Sequence, residues 1–258
     1  MATKILVTGG TGTLGRQVLP LLRAADADVR VLSRAERPSA DGVRFVAGDL
    51  LRGNGIDAAV AGVDTVLHLA GDAKGDEVAT ANLLRAAAAA GVGHIVYISV
   101  TAADLLPLTY FRAKFAAEQA VAASGIPWTT LRAAQFHDFV PKLVDAMLKS
   151  PVLPVLGGAR LQPVDVREVA ARLVELTLGA PAGRVPDLVG PEVFGMRDMV
   201  RDYLTTLGKR RALLTVPVPG KAGRVYRAGE NLVTDGAEVG ELTWADYLAQ
   251  RAGAVRAG

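Results

Sequence analysis

Lys4-Ile5-Leu6-Val7-Thr8-Gly9-Gly10-Thr11-Gly12-Thr13-Leu14-Gly15 is the stretch on which the fold turns. Its first five residues read as a short buried strand, and a helical pattern runs from about Leu14 to Ala25. Between the two, Gly9, Gly12 and Gly15 fill a G-x-x-G-x-x-G frame. The three glycines answer different demands. Gly9 permits a tight turn, Gly12 lets the backbone approach a pyrophosphate, and Gly15 lets the helix close onto the strand. Free N–H groups at the start of the helix then face the negative charge. Glycines alone are weak evidence, but strand, loop and helix in this order point to a dinucleotide site, with Thr11, Thr13 and Leu14 lining the loop.

The alternation continues outward from that unit. Val29–Ser33, Arg44–Ala47, Thr65–Leu69, His94–Ser99 and Trp128–Arg132 read as further strands, and Asp76–Ala90 and Thr109–Ser124 as helices. The run of alanines near residue 88 is the best helix former repeated, and Gly91 and Gly93 end it. Near-continuous apolar strands between helices predict a Rossmann-type α/β fold, a doubly wound parallel sheet covered on both faces. After about Leu148 the pattern loosens. Pro151, Pro154, Gly157 and Gly158 suggest a loop-rich stretch, followed by a helix at Val166–Leu178, a short strand at 187–190, and helices near Arg197–Leu207 and Thr243–Arg251. With no repeat and no polar linker, residues 1–258 read as one domain, with a small substrate lobe from about 135–163 and 184–258.

Composition removes several classes of function. The chain of 258 residues has no cysteine, so disulfide scaffolds, thiol nucleophiles and cysteine metal sites are excluded. Its three histidines (His68, His94, His137) include no i, i+4 pair, and no metal site is expected. No apolar run approaches the ~18–20 residues of a membrane span, and the first apolar stretch is too short for a signal peptide, so a cytoplasmic location is expected. Net charge is +3, with seven basic residues and one acid from Arg201 to Arg227. No aromatic ladder accompanies that patch, which reads as solvated surface or as a lobe facing a cofactor phosphate. Nucleic acid is not an expected partner.

The end of the second strand discriminates between cofactors. An acid there binds the ribose 2′-hydroxyl of NAD; here Ser33 and Arg34 occupy the position, with Glu36 two residues late. Arginine suits a 2′-phosphate through charge-assisted hydrogen bonds, so NADP(H) is expected in preference to NAD(H). Farther on, Tyr110 and Lys114 stand four apart on one helix face. A tyrosine of ordinary pKa ~10 is a poor acid–base group at neutral pH, and a neighbouring ammonium is expected to lower it. His137, beside Phe136 and Phe139, follows the sixth strand and is a candidate for the substrate pocket; His68 and His94 read as structural, and Trp128 and Trp244 as packing.

Beyond the glycine frame, the chain carries AGDL at Ala47–Leu50, HLAG at His68–Gly71, VYIS at Val96–Ser99, YFRAK at Tyr110–Lys114, GIPWTTLRAAQFHDF at Gly125–Phe139, QPVDVREVA at Gln162–Ala170 and LVGPE at Leu188–Glu192. With these it resembles the atypical and extended short-chain dehydrogenase/reductases, most closely their NmrA-like NAD(P)H-binding branch, over most of its length and thinning beyond about Thr206. The resemblance implies that Asp49 binds the adenine amino group, that Leu50 flanks the ring, and that Leu69, Ala70 and Gly71 line the ribose side. It places Ala133, Ala134 and Phe136 near the nicotinamide. It also implies a Y-x-x-x-K pair, Tyr110 as proton donor and Lys114 on the nicotinamide ribose, with Thr101 as the third catalytic member and Ser99 near the nicotinamide. The connection from Val100 to Thr109 is shorter and more apolar than in members with a full triad.

The expected activity is an NADP-dependent oxidoreductase moving a hydride between nicotinamide and a small apolar carbonyl or quinone-like substrate. Phe136, Phe139, Met147, Leu153 and Phe194 are the expected apolar lining. Two other readings stand beside it: a non-catalytic NADP(H) sensor that contacts a protein partner, and an epimerase or dehydratase of a sugar-like substrate. The expected partner is a small molecule, the chain acting as monomer or homodimer.

Overall fold

A computed structural model describes residues 2–39, 42–71 and 75–257. In chain order the elements are β1 (Lys4–Thr8), α1 (Thr13–Ala24), β2 (Asp28–Ser33), β3 (Val43–Ala47), α2 (Ile56–Val60), β4 (Thr65–His68), α3 (Asp76–Ala89), β5 (His94–Val100), α4 (Thr109–Ala123) and β6 (Trp128–Ala133). There follow α5 (Phe139–Met147), β7 (Val152–Gly157), β8 (Arg160–Leu161), α6 (Val166–Leu178), β9 (Gly183–Arg184), β10 (Leu188–Val189), β11 (Phe194–Gly195), α7 (Met196–Thr206), β12 (Ala212–Pro217), α8 (Gly220–Ala228), β13 (Glu238–Val239) and α9 (Trp244–Ala257). The chain forms two compact units. The first holds residues 1–104, 108–132 and 166–186; the second holds 105–107, 133–165 and 187–258.

The first unit is a parallel sheet in the order β6-β5-β4-β1-β2-β3, with β9 alongside β6. The chain winds one way from β1 to β3 and the other way from β4 to β6, so the direction reverses between β1 and β4. That is the point at which doubly wound sheets bind ligands, outside the carboxyl ends of their strands. Alternation along each strand divides the core. Leu6, Val66, Ile95 and Tyr97 join Ile56, Leu83, Ala87, Ala117 and Val121 from α2, α3 and α4 in one buried cluster. Leu14, Val18 and Leu22 of α1 and Val169, Ala170 and Leu173 of α6 are buried where these two helices pack together. The expected strands and helices of this unit are present with ends shifted by a residue or two, and the Rossmann-type parallel sheet is the architecture observed. The short α2 was not expected.

The second unit contains elements that the sequence hid. Residues 152–157, expected to be loop, form strand β7, paired in parallel with β12 from Val152↔Ala212 to Pro217↔Gly157. Pro154 misled that expectation: proline is compatible with a two-stranded ribbon, where one side of each strand needs no ladder partner. Helix α5, packed on α7, and helix α8 were also unforeseen. Ala133 pairs with Leu188 of β10, and β10 with β13. Gly190 of the LVGPE stretch lies against the Pro163 carbonyl so closely that a Cβ would collide with it. Among the described residues no helix is long and apolar enough to cross a membrane.

Candidate active site

The β1–α1 loop is built on close backbone contacts. Gly9 has φ +69°, and a Cβ there would stand 2.6 Å from Ala70 N. A Cβ on Gly15 would stand 2.5 Å from the Gly10 backbone, so α1 reaches the loop only because residue 15 is glycine. Gly12 caps the helix and has no side chain with which to satisfy its first-turn donors. Thr11, Gly12 and Thr13 are exposed, whereas Leu14 and Gly15 are buried beneath them. Thr8 ties this floor to β4. Its hydroxyl accepts from Ala70 N at 3.2 Å and pairs with His68 Nδ1 at 2.7 Å, and Leu69 N donates to the Thr8 carbonyl at 3.2 Å. His68 pairs through Nε2 with Thr80 Oγ1 at 3.1 Å. A dinucleotide fits this loop: the crowded sides are filled by protein backbone, and the open side offers N–H groups.

At the end of β2, Ser33 is buried and Arg34 is exposed, with no hydrogen bond or ion pair to any described residue. Asp49 follows β3. Its Oδ1 accepts from Leu51 N at 2.9 Å and from Arg52 N at 3.2 Å, while Oδ2 lies 4.0 Å from Arg52 Nε. Asn82 Nδ2 donates to the Leu50 carbonyl at 2.9 Å. Leu69 and Ala70 are half-buried, and Gly71 is exposed.

Around β5 and α4 the structure departs from the expected Tyr–Lys pairing. Lys114 is buried. Its Nζ lies 3.5 Å from Asp76 Oδ2, 3.3 Å from Tyr97 Oη and 3.4 Å from the Ile98 carbonyl oxygen. Tyr110, one turn earlier, is 40% exposed. Its pKa is raised rather than lowered: burial comes first, and the Asp76 charge adds to it. Burial pushes Lys114 down, against an upward pull from Asp76 and Glu118. Ser99 and Thr101 are both buried, and the Ser99 hydroxyl has no hydrogen-bond partner among the described residues. Ala102, directly after Thr101, takes φ +59°, a left-handed conformation uncommon for a residue with a Cβ.

Three residues that the sequence did not single out hold this region together. Arg132 of β6 is buried and bonds Glu118 of α4 through Nε and Nη2, at 2.8 and 2.7 Å. Its Nη1 bonds Asp104 Oδ1 at 2.8 Å. The loop that carries Thr101 is thereby tied to the helix that carries Lys114.

A family model described as NAD(P)H-binding matches residues 9–175. The chain belongs to this NAD(P)H-binding family. Among its relatives is the (4-alkanoyl-5-oxo-2,5-dihydrofuran-3-yl)methyl phosphate reductase of Streptomyces griseus subsp. griseus, 35% identical over 80% of this chain and 74% of that protein. The NAD(P)H azoreductase of Xenophilus azovorans is 30% identical over 95% of this chain and 89% of its own. In three dimensions the NADPH complex of an NADPH-dependent quinone oxidoreductase from Escherichia coli superposes with TM-score 0.78 at 22% identity, covering 96% of this chain and 99% of the other. That likeness bears on the fold.

In the second unit of this NAD(P)H-binding chain, Ala133 and Ala134 are buried, and Ala134 N donates to the Leu188 carbonyl at 2.9 Å. Phe136 is half-buried and bridges to Val164, and Phe139 is 43% exposed. His137 is buried. Its Nδ1 lies 3.8 Å from Asp165 Oδ2, and its ring sits 5.9 Å from Trp244 and 5.5 Å from Tyr247. Of the expected apolar lining, Leu153 is packed into the core of the second unit at 1% exposure and does not offer a surface to a ligand, which corrects that expectation. Met147 and Phe194 are half-buried.

Proposed function

We propose that this chain is an NADPH-dependent oxidoreductase that reduces a small apolar carbonyl or quinone-like substrate. One observation carries the reading. Gly9 of the phosphate loop rests on Ala70, and the next residue, Gly71, rests on the Lys114 ammonium, where any Cβ would strike Nζ. The loop and the lysine are thus joined through two consecutive residues. The relatives support the same reading, since their names cite azo, quinone and oxo-dihydrofuran phosphate reduction.

Gly9, Thr11, Gly12, Thr13, Leu14 and Gly15 hold the pyrophosphate, Asp49 and Leu50 the adenine, Ser33 and Arg34 the 2′-phosphate, and Leu69 to Gly71 the ribose side. Ser99, whose hydroxyl has no partner among the described residues, and Ala133, Ala134 and Phe136 belong to the nicotinamide end. When bound, NADPH supplies a hydride. Lys114 grips the nicotinamide ribose, Thr101 orients the substrate oxygen, and Tyr110 gives that oxygen a proton. A carbonyl gains hydride and proton to become an alcohol, and the exposed phenol recovers its proton from solvent. The raised pKa of Tyr110 keeps the phenol protonated at neutral pH and makes it a weaker acid than an ordinary tyrosine. Substrate selection falls to the second unit, through Phe136 and Phe139, whereas His137, buried against Trp244 and Tyr247, offers a ligand almost as little surface as Leu153 does; the short-chain reductase lineage, NmrA-like branch, is the subtype we favour.

The test is NADPH oxidation against a panel of carbonyls and quinones, wild type beside Tyr110→Phe. Carbonyl turnover should fall by about 10²–10⁴-fold in the variant. Turnover that survives assigns proton delivery elsewhere, as in a quinone reductase. An NADPH-binding protein without turnover on any acceptor overturns the enzyme reading.

A further inference from the structure

We propose that Asp76 is the positioning residue of the site, the buried counter-ion that fixes the Lys114 ammonium against Gly71 and so sets the pH range in which the lysine can hold a cofactor. This rests on the reading of Lys114 given above. Asp76 is the first residue of α3, directly after Gly75, whose φ of +83° turns the chain into the helix. Its side chain is 1% exposed and that of Lys114 is 6% exposed, so water screens the pair little.

Among the described residues Asp76 has no substitute. Among the described residues, the groups that act on Lys114 are Asp76 from α3, Tyr97 from β5 (its hydroxyl 3.3 Å away and its ring centroid 5.0 Å away), His68 from β4, and Glu118 on its own helix. Tyr97 is wholly buried, with its ionisation pushed far up by burial and then by Asp76, and so it stays neutral. His68 is neutral as well. Glu118 is occupied by two arms of Arg132. Among the described residues, the carboxylate that balances Lys114 directly is therefore Asp76. Gly71 completes the seat, since a Cβ there would also come within 3.3 Å of Asp76 Oδ2.

Asp76 also acts on Tyr110, whose ionisation its charge opposes. A single carboxylate thus favours the charged lysine and the neutral phenol together. Neutralising it moves both titrations toward lower pH. A loss of packing alone would weaken the protein without moving either one.

The experiment follows the Lys114 side-chain resonance by NMR against pH in the cofactor-free protein, for wild type, Asp76→Asn and Asp76→Glu. NADPH binding to the same proteins is measured by fluorescence over the same pH range. In Asp76→Asn, Lys114 should lose its proton at lower pH than in wild type, and NADPH affinity should fall off at correspondingly lower pH. Asp76→Glu keeps the charge, so its Lys114 titration should stay near that of wild type, and this variant remains informative if Asp76→Asn does not fold. A Lys114 titration unmoved in Asp76→Asn, or moved equally in Asp76→Glu, overturns the proposal. A moved titration with unmoved NADPH binding also overturns it, and places the failure in the assigned role of Lys114 rather than in the ion pair.

Discussion

Arg132 and Glu118 form a two-pronged buried ion pair, Nε to Oε1 at 2.8 Å and Nη2 to Oε2 at 2.7 Å, four residues beyond Lys114 on α4. Both side chains are under a tenth exposed. Parallel N–H···O bonds fix orientation as well as distance, so the pair sets how α4 lies on β6. The third arm, to Asp104, ends at a carboxylate that is 40% exposed.

Removing one partner of such a pair strands a charge in the interior. Arg132→Met should cost about 3–5 kcal/mol of unfolding free energy, because Glu118 is left buried without its cation. Asp104→Asn should cost no more than about 1 kcal/mol, since that arm faces solvent. Urea unfolding of the two variants gives the comparison. Equal losses would mean that the Glu118 arm contributes nothing special.

Cofactor choice gives the next prediction. Arg34 is exposed at the end of β2 and has no intramolecular partner among the described residues, so a bound 2′-phosphate would face no competitor for it. A hydrogen bond to a charged group is worth about 1.5–3 kcal/mol, which corresponds to roughly a 10- to 100-fold change in affinity. Arg34→Ala should therefore raise the Kd for NADPH by that factor and leave the Kd for NADH unchanged. Titrating both nucleotides against both proteins checks it. Equal weakening of the two would remove Arg34 from 2′-phosphate recognition.

The reach of the sequence followed the distance over which each feature acts. The phosphate loop was legible because the strand, Gly9–Gly15 and the helix are contiguous and each residue type answers a local backbone demand. The Tyr110–Lys114 spacing was legible from helix periodicity, but the electrostatics were not. Asp76 stands 38 residues before Lys114, and an acid in the first turn of a helix reads simply as favourable to the helix dipole. Arg132 finds Glu118 and Asp104 across 14 and 28 residues, with no spacing to announce it. The β7–β12 ribbon joins segments sixty residues apart, and Pro154 argued locally against a strand.

His68 yields a pH dependence with a definite sign. It is fully buried between Thr8 and Thr80, and burial, helped by the Lys114 charge, pushes its pKa down to about 3. In the unfolded chain a histidine titrates near pH ~6.5. Between these values the unfolded state binds the extra proton, so stability rises with pH: the contribution is complete above about pH 6.5 and is lost as pH falls toward 3. The slope approaches about 1.4 kcal/mol per pH unit, or about 2 kcal/mol between pH 7 and pH 5. His94, lowered by burial and paired with Thr129 at 2.9 Å, acts in the same sense, so the test must isolate His68. Urea unfolding at pH 7 and pH 5 should show His68→Gln losing less stability over that interval than wild type, by about the same 2 kcal/mol. The imidazole resonances of His68 in the folded protein should stay those of the neutral ring down to pH 5. A midpoint near 6.5, or equal pH losses in the two proteins, would show that the Thr8–His68–Thr80 bridge between β1, β4 and α3 accepts a proton without opening.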